Sequence, residues 1–302
     1  MEKLLTVIAA IVVVLVIIIG VVTHQSGKAP LSEPPAPPAA GPQHQPDWCP
    51  GVEVIAAPGS WESAANDDPI NPHANPKSFM LSITKPLQEQ FPEGVEVWTL
   101  PYTAQFRNVN ALGEKSYDGS RQEGTDKVNQ RLASLHKDCP ATEFVLTGFS
   151  QGAVLLGDIA SNIGLGHGAV PAEKIRGVAL VADGRRTAES GQVVGNPVAG
   201  VGAEVALQPL NAAVQLIIPG ATMRGPRQGG FGTLNDRTFQ ICAPDDHICD
   251  APVNALNGVE RAQQLINANG VHAMYATNPN VIPGTTANQW VVGWAADLIR
   301  SR

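Results

Sequence analysis

The chain has no lysine- and arginine-rich run, no Cys-x-x-Cys pair, no internal repeat and no second linker. Each absence removes a class of protein. With a net charge of −7 and no clustered cations, nothing is available to hold a phosphate backbone, so no nucleic-acid partner is expected. A structural zinc site is disfavoured because the usual paired-cysteine ligands are missing. Without a repeat or second linker, the 302 residues reduce to tails and one large domain. What is abundant is glycine, 30 residues, and proline, 25, which fits a loop-rich globular protein rather than a helical bundle. Hydrophobic residues, at 43%, suffice for a substantial core.

Residues 4–22 are uniformly apolar and uncharged. As a helix rising about 1.5 Å per residue, such a run spans roughly 28 Å, close to a bilayer core. A cleaved signal peptide is the rival reading. Its apolar part is usually shorter and is followed by a small-x-small site, and Thr23, His24 and Gln25 offer none. The run is therefore expected to be an uncleaved anchor, with a secreted protein the outcome if it is cut. Lys3 precedes it and the next cation is Lys28, which favours the N-terminus inside and the bulk outside. Residues 23–47 are rich in Pro, Ala, Gln and Ser and are expected to form an extended stalk. The folded domain is expected over 48–302, as a monomer.

An even count of four cysteines, Cys49, Cys139, Cys242 and Cys249, on an exported domain reads as two disulfides. Three pairings can be drawn. Cys242 and Cys249 could close a small loop, leaving Cys49 with Cys139.

Short apolar runs at 52–57, 95–100, 144–147, 175–181 and 214–218 suit buried strands. Helix-like stretches at 78–90, 120–136, 153–163, 259–267 and 286–299 lie between and after them. Alternating strands and helices imply an α/β fold, a parallel sheet covered on both faces. Ligands then bind at the carboxyl ends of the strands.

One segment carries chemistry. Phe144-Val-Leu-Thr leads into Gly148-Phe-Ser150-Gln-Gly152 and directly out into Ala-Val-Leu-Leu. Strand, Gly-x-Ser-x-Gly and helix in succession form the setting of a nucleophile elbow. The turn lifts the serine hydroxyl above the sheet, and the helix N-terminus favours developing negative charge. The alternative, a nucleotide-binding turn, lacks both the glycine spacing of a dinucleotide fingerprint and the lysine of a P-loop. A seryl hydroxyl needs an imidazole to take its proton and a carboxylate to orient that imidazole. In this fold class the chain order is serine, acid, histidine. Three histidines follow Ser150. His167 sits in a glycine-rich loop, His247 lies inside the short cysteine loop, and His272 follows a helix with Tyr275 close behind. His272 suits the role best. The acid is open among Asp183, Asp245, Asp246 and Asp250.

Gly-Phe-Ser-Gln-Gly at 148–152, with Cys-Ala-Pro-Asp-Asp-His-Ile-Cys at 242–249, resembles the cutinases. It is most similar to the membrane-anchored cutinase-like hydrolases, phospholipase and thioesterase in type, of mycolic-acid-containing actinobacteria. Ala-Pro-Gly-Ser60-Trp-Glu62, Ser116 to Gly124 and Gly225 to Gly232 carry the same likeness. The resemblance implies a minimal α/β-hydrolase, a three-layer sandwich with a five-stranded, mainly parallel sheet. It also implies Asp246 as the acid, pairing of Cys49 with Cys139, and an oxyanion hole of Ser60 with the Gln151 amide. No metal or organic cofactor is implied. Two departures stand out: His272 lies 23 residues beyond Cys249, and Asp245 replaces the family's usual glycine before the acid. Asp245 is expected to point to solvent.

The expected function is hydrolysis of lipid carboxylic esters or thioesters, phospholipids included, at the outer face of a cell membrane. The anchor and apolar loops such as 193–207 favour a lipid substrate. Acyl transfer through the same acyl-enzyme is the nearest rival. A non-catalytic lipid-binding protein on a hydrolase fold, and a peptidase, are the others.

Overall fold

Strands covered on both faces must be apolar along their whole length, and the chain's longest such runs occupy the middle of the sheet. These are β1 (Val52–Ala57), β3 (Glu143–Phe149) and β4 (Ile175–Val181). The computed structural model describes residues 45–253, 263–264 and 270–301. Within them, β2 (Val95–Thr99), β5 (Gln192–Val194) and β6 (Thr238–Ile241) complete a six-stranded sheet ordered β2-β1-β3-β4-β6-β5. Every pairing in it is parallel.

The helices are α1 (Leu81–Gln90), α2 (Tyr117–Asp138), α3 (Gln151–Gly164), α4 (Asn211–Ile217) and α5 (Ala287–Arg300), with a single turn at Ala203–Ala206. Alternate residues of β1 point to opposite layers. Val52, Val54 and Ala56 pack with Ile83 and Leu87 of α1 and Val291 and Ala295 of α5. Ile55 and Ala57 pack with Leu132 of α2 and Leu155 of α3. The result is the expected three-layer α/β sandwich.

Two expectations are corrected. The sheet has six strands, not five, and the run 214–218 is not one of them. It lies largely within α4, where only Val214 is buried and Leu216 is 82% exposed. Asn211 anchors that helix by accepting the Met223 N–H at 2.8 Å, and Gly220, at φ 79°, turns the chain after it. The strands that replace it are short. β6 interrupts its apolar pattern with Gln240, whose buried amide donates to the carbonyls of Thr187 and Ser190. β5 is a three-residue, largely exposed edge strand that overlaps the start of the expected apolar loop 193–207. The expected helix at 259–267, apart from helical Gln263 and Gln264, and the apolar run 4–22 lie outside the described residues. Among the described residues, no helix is long and apolar enough to cross a membrane.

Two disulfides join Cys49 to Cys139 and Cys242 to Cys249. The first closes a loop with a separation of 90 residues. By chain entropy, a crosslink of that span stabilises by roughly 4–5 kcal/mol. It ties the start of β1 to the turn before β3, holding these two neighbouring strands at their amino ends. Bridges of this kind persist in oxidising compartments, which places the domain in an extracellular or envelope setting.

One buried charge opposes this stability. Glu53 on β1 is fully buried and takes a 2.6 Å hydrogen bond from Arg131 Nε, while its second carboxylate oxygen has no partner among the described residues. Arg131 is shared with Glu96. Burial pushes the Glu53 carboxyl up from 4.5 to about 7, with Arg131 opposing the rise. Between those values the folded chain keeps a proton that the unfolded chain has lost. Glu53's contribution to stability is therefore present below about pH 4.5 and is lost as pH rises through about 7. Glu53→Gln, which mimics the protonated form, is expected to gain on the wild type by on the order of 1–3 kcal/mol from pH 5 to pH 8. Urea denaturation at both pH values checks this. A difference between the two proteins that does not change with pH would contradict it.

Candidate active site

The turn after β3 is possible only because two residues lack side chains. A Cβ on Gly148 would lie 2.5 Å from the Gly152 carbonyl oxygen, and a Cβ on Gly152 would lie 2.0 Å from that of Ala57. The close approach drives Ser150 to φ 53°, ψ −117°, a backbone region that costs a non-glycine residue on the order of 1–3 kcal/mol. Hydrogen bonds from Ser150 N–H to the Val181 carbonyl (2.9 Å) and from Val154 N–H to the Ser150 carbonyl (3.0 Å) hold it there. Ser150 caps α3, so its hydroxyl stands at that helix's N-terminal end. The Gln151 amide is among the first N–H groups of α3, which have no carbonyl inside the helix to bond.

Residues from three further connections converge on this hydroxyl. His272, in a short turn at His272–Met274, brings Nε2 to 3.0 Å from Ser150 Oγ and Nδ1 to 2.9 Å from Asp246 Oδ2. Because a carboxylate only accepts, Nδ1 carries the proton and Nε2 is free to accept from the hydroxyl. Asp246, fully buried, follows β6 inside the Cys242–Cys249 loop. Burial alone would raise its carboxyl. The charge and hydrogen bond of His272, the Tyr275 hydroxyl and the Ile248 N–H outweigh burial and hold it below the usual carboxylate range. Ser60 follows β1. A Cβ on Gly59, its neighbour, would approach the Ser150 Cβ to 3.3 Å, so this loop lies directly beside the serine.

The other candidates lie elsewhere. Asp183 is buried against Arg227 and accepts the Arg185 N–H. Asp250 accepts from the amides of Gly200 and Asp245. Asp245 is exposed, as expected, and adopts φ 65°, a backbone region in which glycine is the easier residue. His167 is exposed on the loop after α3.

Three features escaped the reading of the sequence. Tyr275 is buried; its hydroxyl accepts the Ala243 N–H (2.9 Å) and donates to Asp246 Oδ2 (2.7 Å). Its ring packs edge-on to Phe149 and His272. Phe149, the variable residue before Ser150, stacks on the imidazole with centroids 5.1 Å apart. Glu62 accepts the N–H groups of Gly59 (3.0 Å) and Phe79 (2.6 Å) and so fixes the loop carrying Ser60. Proximity of Tyr275 to His272 in the chain was the one available signal; nothing in the sequence marked its hydrogen bonds.

These groups open onto a cleft of about 680 Å³. Phe106, Tyr117, Val154, Ala203 and Met223 are among the residues that line it. Part of this lining is braced by ion pairs. Glu204 accepts from the Tyr117 hydroxyl (2.7 Å) and from Arg224 (2.8 and 2.9 Å). Behind it, Asp158 bonds Arg185, Arg224 and Arg227. Burial would raise the Asp158 carboxyl, but the three guanidinium groups hold it down to about 2.

Fold and cleft together define a carboxylic-ester hydrolase of the α/β-hydrolase type. The chain belongs to the cutinase family, whose model matches residues 48–292. A carboxylesterase Culp6 homolog of Corynebacterium glutamicum is 60% identical over 311 residues, covering 99% of each chain. Among solved structures, the catalytic core domain of an acetyl xylan esterase from Trichoderma reesei aligns over 84% of this chain and 98% of its own. It does so at 17% identity and a TM-score of 0.50, a likeness of fold alone.

Removing the Tyr275 hydroxyl takes one donor from Asp246 and leaves the buried Ala243 N–H unpaired. Tyr275→Phe is expected to lower kcat by about tenfold with little change in KM, measured on a soluble ester. An unchanged kcat in the folded variant would contradict the role given to that hydroxyl.

Proposed function

We propose that the protein hydrolyses acyl esters and thioesters of lipids, phospholipids among them, through an acyl-enzyme on Ser150. The observation that carries this reading is the unbroken chain from Ser150 Oγ through His272 to buried Asp246, at 3.0 and 2.9 Å. Ser150 Oγ attacks the carbonyl carbon while its proton passes to His272 Nε2. Asp246 holds the ring and stabilises the imidazolium. The oxygen, now negative, accepts from the Ser60 hydroxyl and the Gln151 amide. Collapse expels the alcohol or thiol, which takes the proton from Nε2. Water then attacks the acyl-enzyme, gives a proton to His272 and releases the acid, and the proton returns to Ser150.

A lipid substrate is supported by the size of the cleft and its largely apolar lining; a relative named as a carboxylesterase supports ester hydrolysis. Residues 1–22 serve as the membrane anchor, 23–47 as the stalk, and 48–302 as the hydrolase domain in the cell envelope. The oxidised cysteines and the length of the apolar run support that arrangement.

Wild type should react with a fluorophosphonate and release fatty acids from a lipid panel, with the freed chains identified by mass. Ser150→Ala should take no label and lose turnover by on the order of 10⁴ or more. A folded wild type that takes no label, or a Ser150→Ala protein that keeps its activity, would remove the hydrolase reading.

A further inference from the structure

Five non-glycine residues have a positive φ among the described residues, and three of them are Ser150, Trp61 and Ala104. Trp61, at φ 62°, follows Ser60; Ala104, at φ 51°, is fully buried. The two are joined, for the Trp61 N–H donates to the Ala104 carbonyl at 2.5 Å. Left-handed backbone in a non-glycine residue persists only where its surroundings over-determine it, and it gathers at functional sites. The nucleophile accounts for Ser150. Nothing in the Ser150–His272–Asp246 chain accounts for Ala104.

Ala104 lies in the connection from β2 to α2, which grips the loop of Ser60 along its length. The Tyr102 hydroxyl donates to the Pro58 carbonyl (2.7 Å), and the Ser63 hydroxyl donates to the Leu100 carbonyl (3.0 Å). The Ala104 carbonyl takes the Trp61 N–H between them. The next residue, Gln105, faces the serine turn instead. Its N–H donates to Ser120 Oγ (3.0 Å), and the Ser120 hydroxyl donates to Gln151 Oε1 (3.0 Å). Gln151 Nε2 donates back to the Gln105 carbonyl (3.2 Å). The ring is closed and its donors run one way round it, so each bond polarises the next. Because the Gln105 carbonyl can only accept, the orientation of the Gln151 amide is fixed. Ser120 and Gln151 are both buried.

We propose that the segment 100–105 is the positioning element of the oxyanion hole, with Ser120 and the Gln151 side chain as positioning residues. This inference rests on the hydrolase reading above, in which the Ser60 hydroxyl and the Gln151 N–H are the two donors. The Ala104 carbonyl and the Gln105 N–H belong to one planar peptide unit and point in opposite directions. One of them holds the residue after Ser60; the other, through Ser120, holds the side chain of Gln151. A single peptide therefore spans the two halves of the hole, and the left-handed turn at Ala104 presents it to both. Gln151 acts twice: its N–H faces the oxyanion, and its side chain fixes the direction of that N–H.

The test compares the p-nitrophenyl ester of octanoic acid with its thiono analogue, in which sulfur replaces the carbonyl oxygen. Sulfur is a weak acceptor, so it gains little from an aligned oxyanion hole and loses little when the hole is disturbed. In Ser120→Ala and in Gln151→Met, kcat/KM for the oxygen ester is expected to fall about tenfold, with KM within about twofold. For the thiono ester the fall is expected to be less than about twofold, so the preference for oxygen shrinks. The acid limb of the pH profile, which reports His272, is expected to stay in place. A role in packing alone would lower both esters equally; that result, or an unchanged preference, would overturn the positioning role. Circular dichroism checks the fold. Where a variant does not fold, Tyr102→Phe carries the same test, because it keeps the ring and loses the bond to the Pro58 carbonyl; its preference is expected to shrink about threefold. Wild type that hydrolyses the oxygen ester and takes a fluorophosphonate label keeps the hydrolase reading whatever the variants do. Wild type that does neither would overturn both.

Discussion

The backbone at Ser150 is held at φ 53°, ψ −117° by a packing constraint: the turn between β3 and α3 is wedged against the end of β1. Gly152 touches the Ala57 carbonyl so closely that no side chain fits. The same contact brings the loop of Gly59 and Ser60 alongside the serine, because that loop is the direct continuation of β1. Position and environment of the hydroxyl are thus consequences of three parallel strands ending together. The Cys49–Cys139 bridge at the opposite end of the sheet helps keep those strands in register.

Around the serine, each layer of polar groups is held by the next. His272 is oriented by Asp246, Asp246 by Tyr275 and the Ile248 amide, and Tyr275 by the Ala243 amide. The Cys242–Cys249 bridge closes the loop that bears Asp246 and its amides. Aromatic contacts run in parallel: Phe79 on Phe149, and Phe149 on His272. Low polarity around buried Asp246 strengthens its hold on the imidazole, and its hydrogen bonds keep it ionised despite burial. The same principle governs the cluster at Glu204, where buried Glu204 and half-buried Asp158 are held ionised by the arginines around them.

Much of this was legible in the sequence, for a physical reason. β1, β3 and β4 are buried on both faces and so read as unbroken apolar runs, and the Gly-x-Ser-x-Gly turn sits between two such elements. β5 and β6 were missed because a three-residue exposed edge strand and a four-residue strand containing Gln240 leave almost no periodic signal. Residues 214–218 misled for another reason: the run is apolar, but its buried residues, Val214 and Ile218, lie four apart at helical spacing, with Leu216 exposed between them. Near the site, residue chemistry alone left four aspartates open. The family resemblance implied Asp246, and the three-dimensional arrangement separates it from Asp183, which has a guanidinium partner of its own. The supporting roles of Tyr275, Phe149 and Glu62 depend on contacts between segments distant in the chain, which periodicity and spacing do not encode.

The central claim is that the strained serine forms the covalent bond to the acyl group. Its most direct test is mass spectrometry of the protein quenched during turnover of a slowly deacylating octanoyl ester, followed by peptide mapping. The account predicts a single octanoyl adduct on the peptide containing Ser150, disappearing as substrate is exhausted. Steady hydrolysis with Ser150 unmodified, or an adduct at another residue that turns over at the same rate, would contradict it.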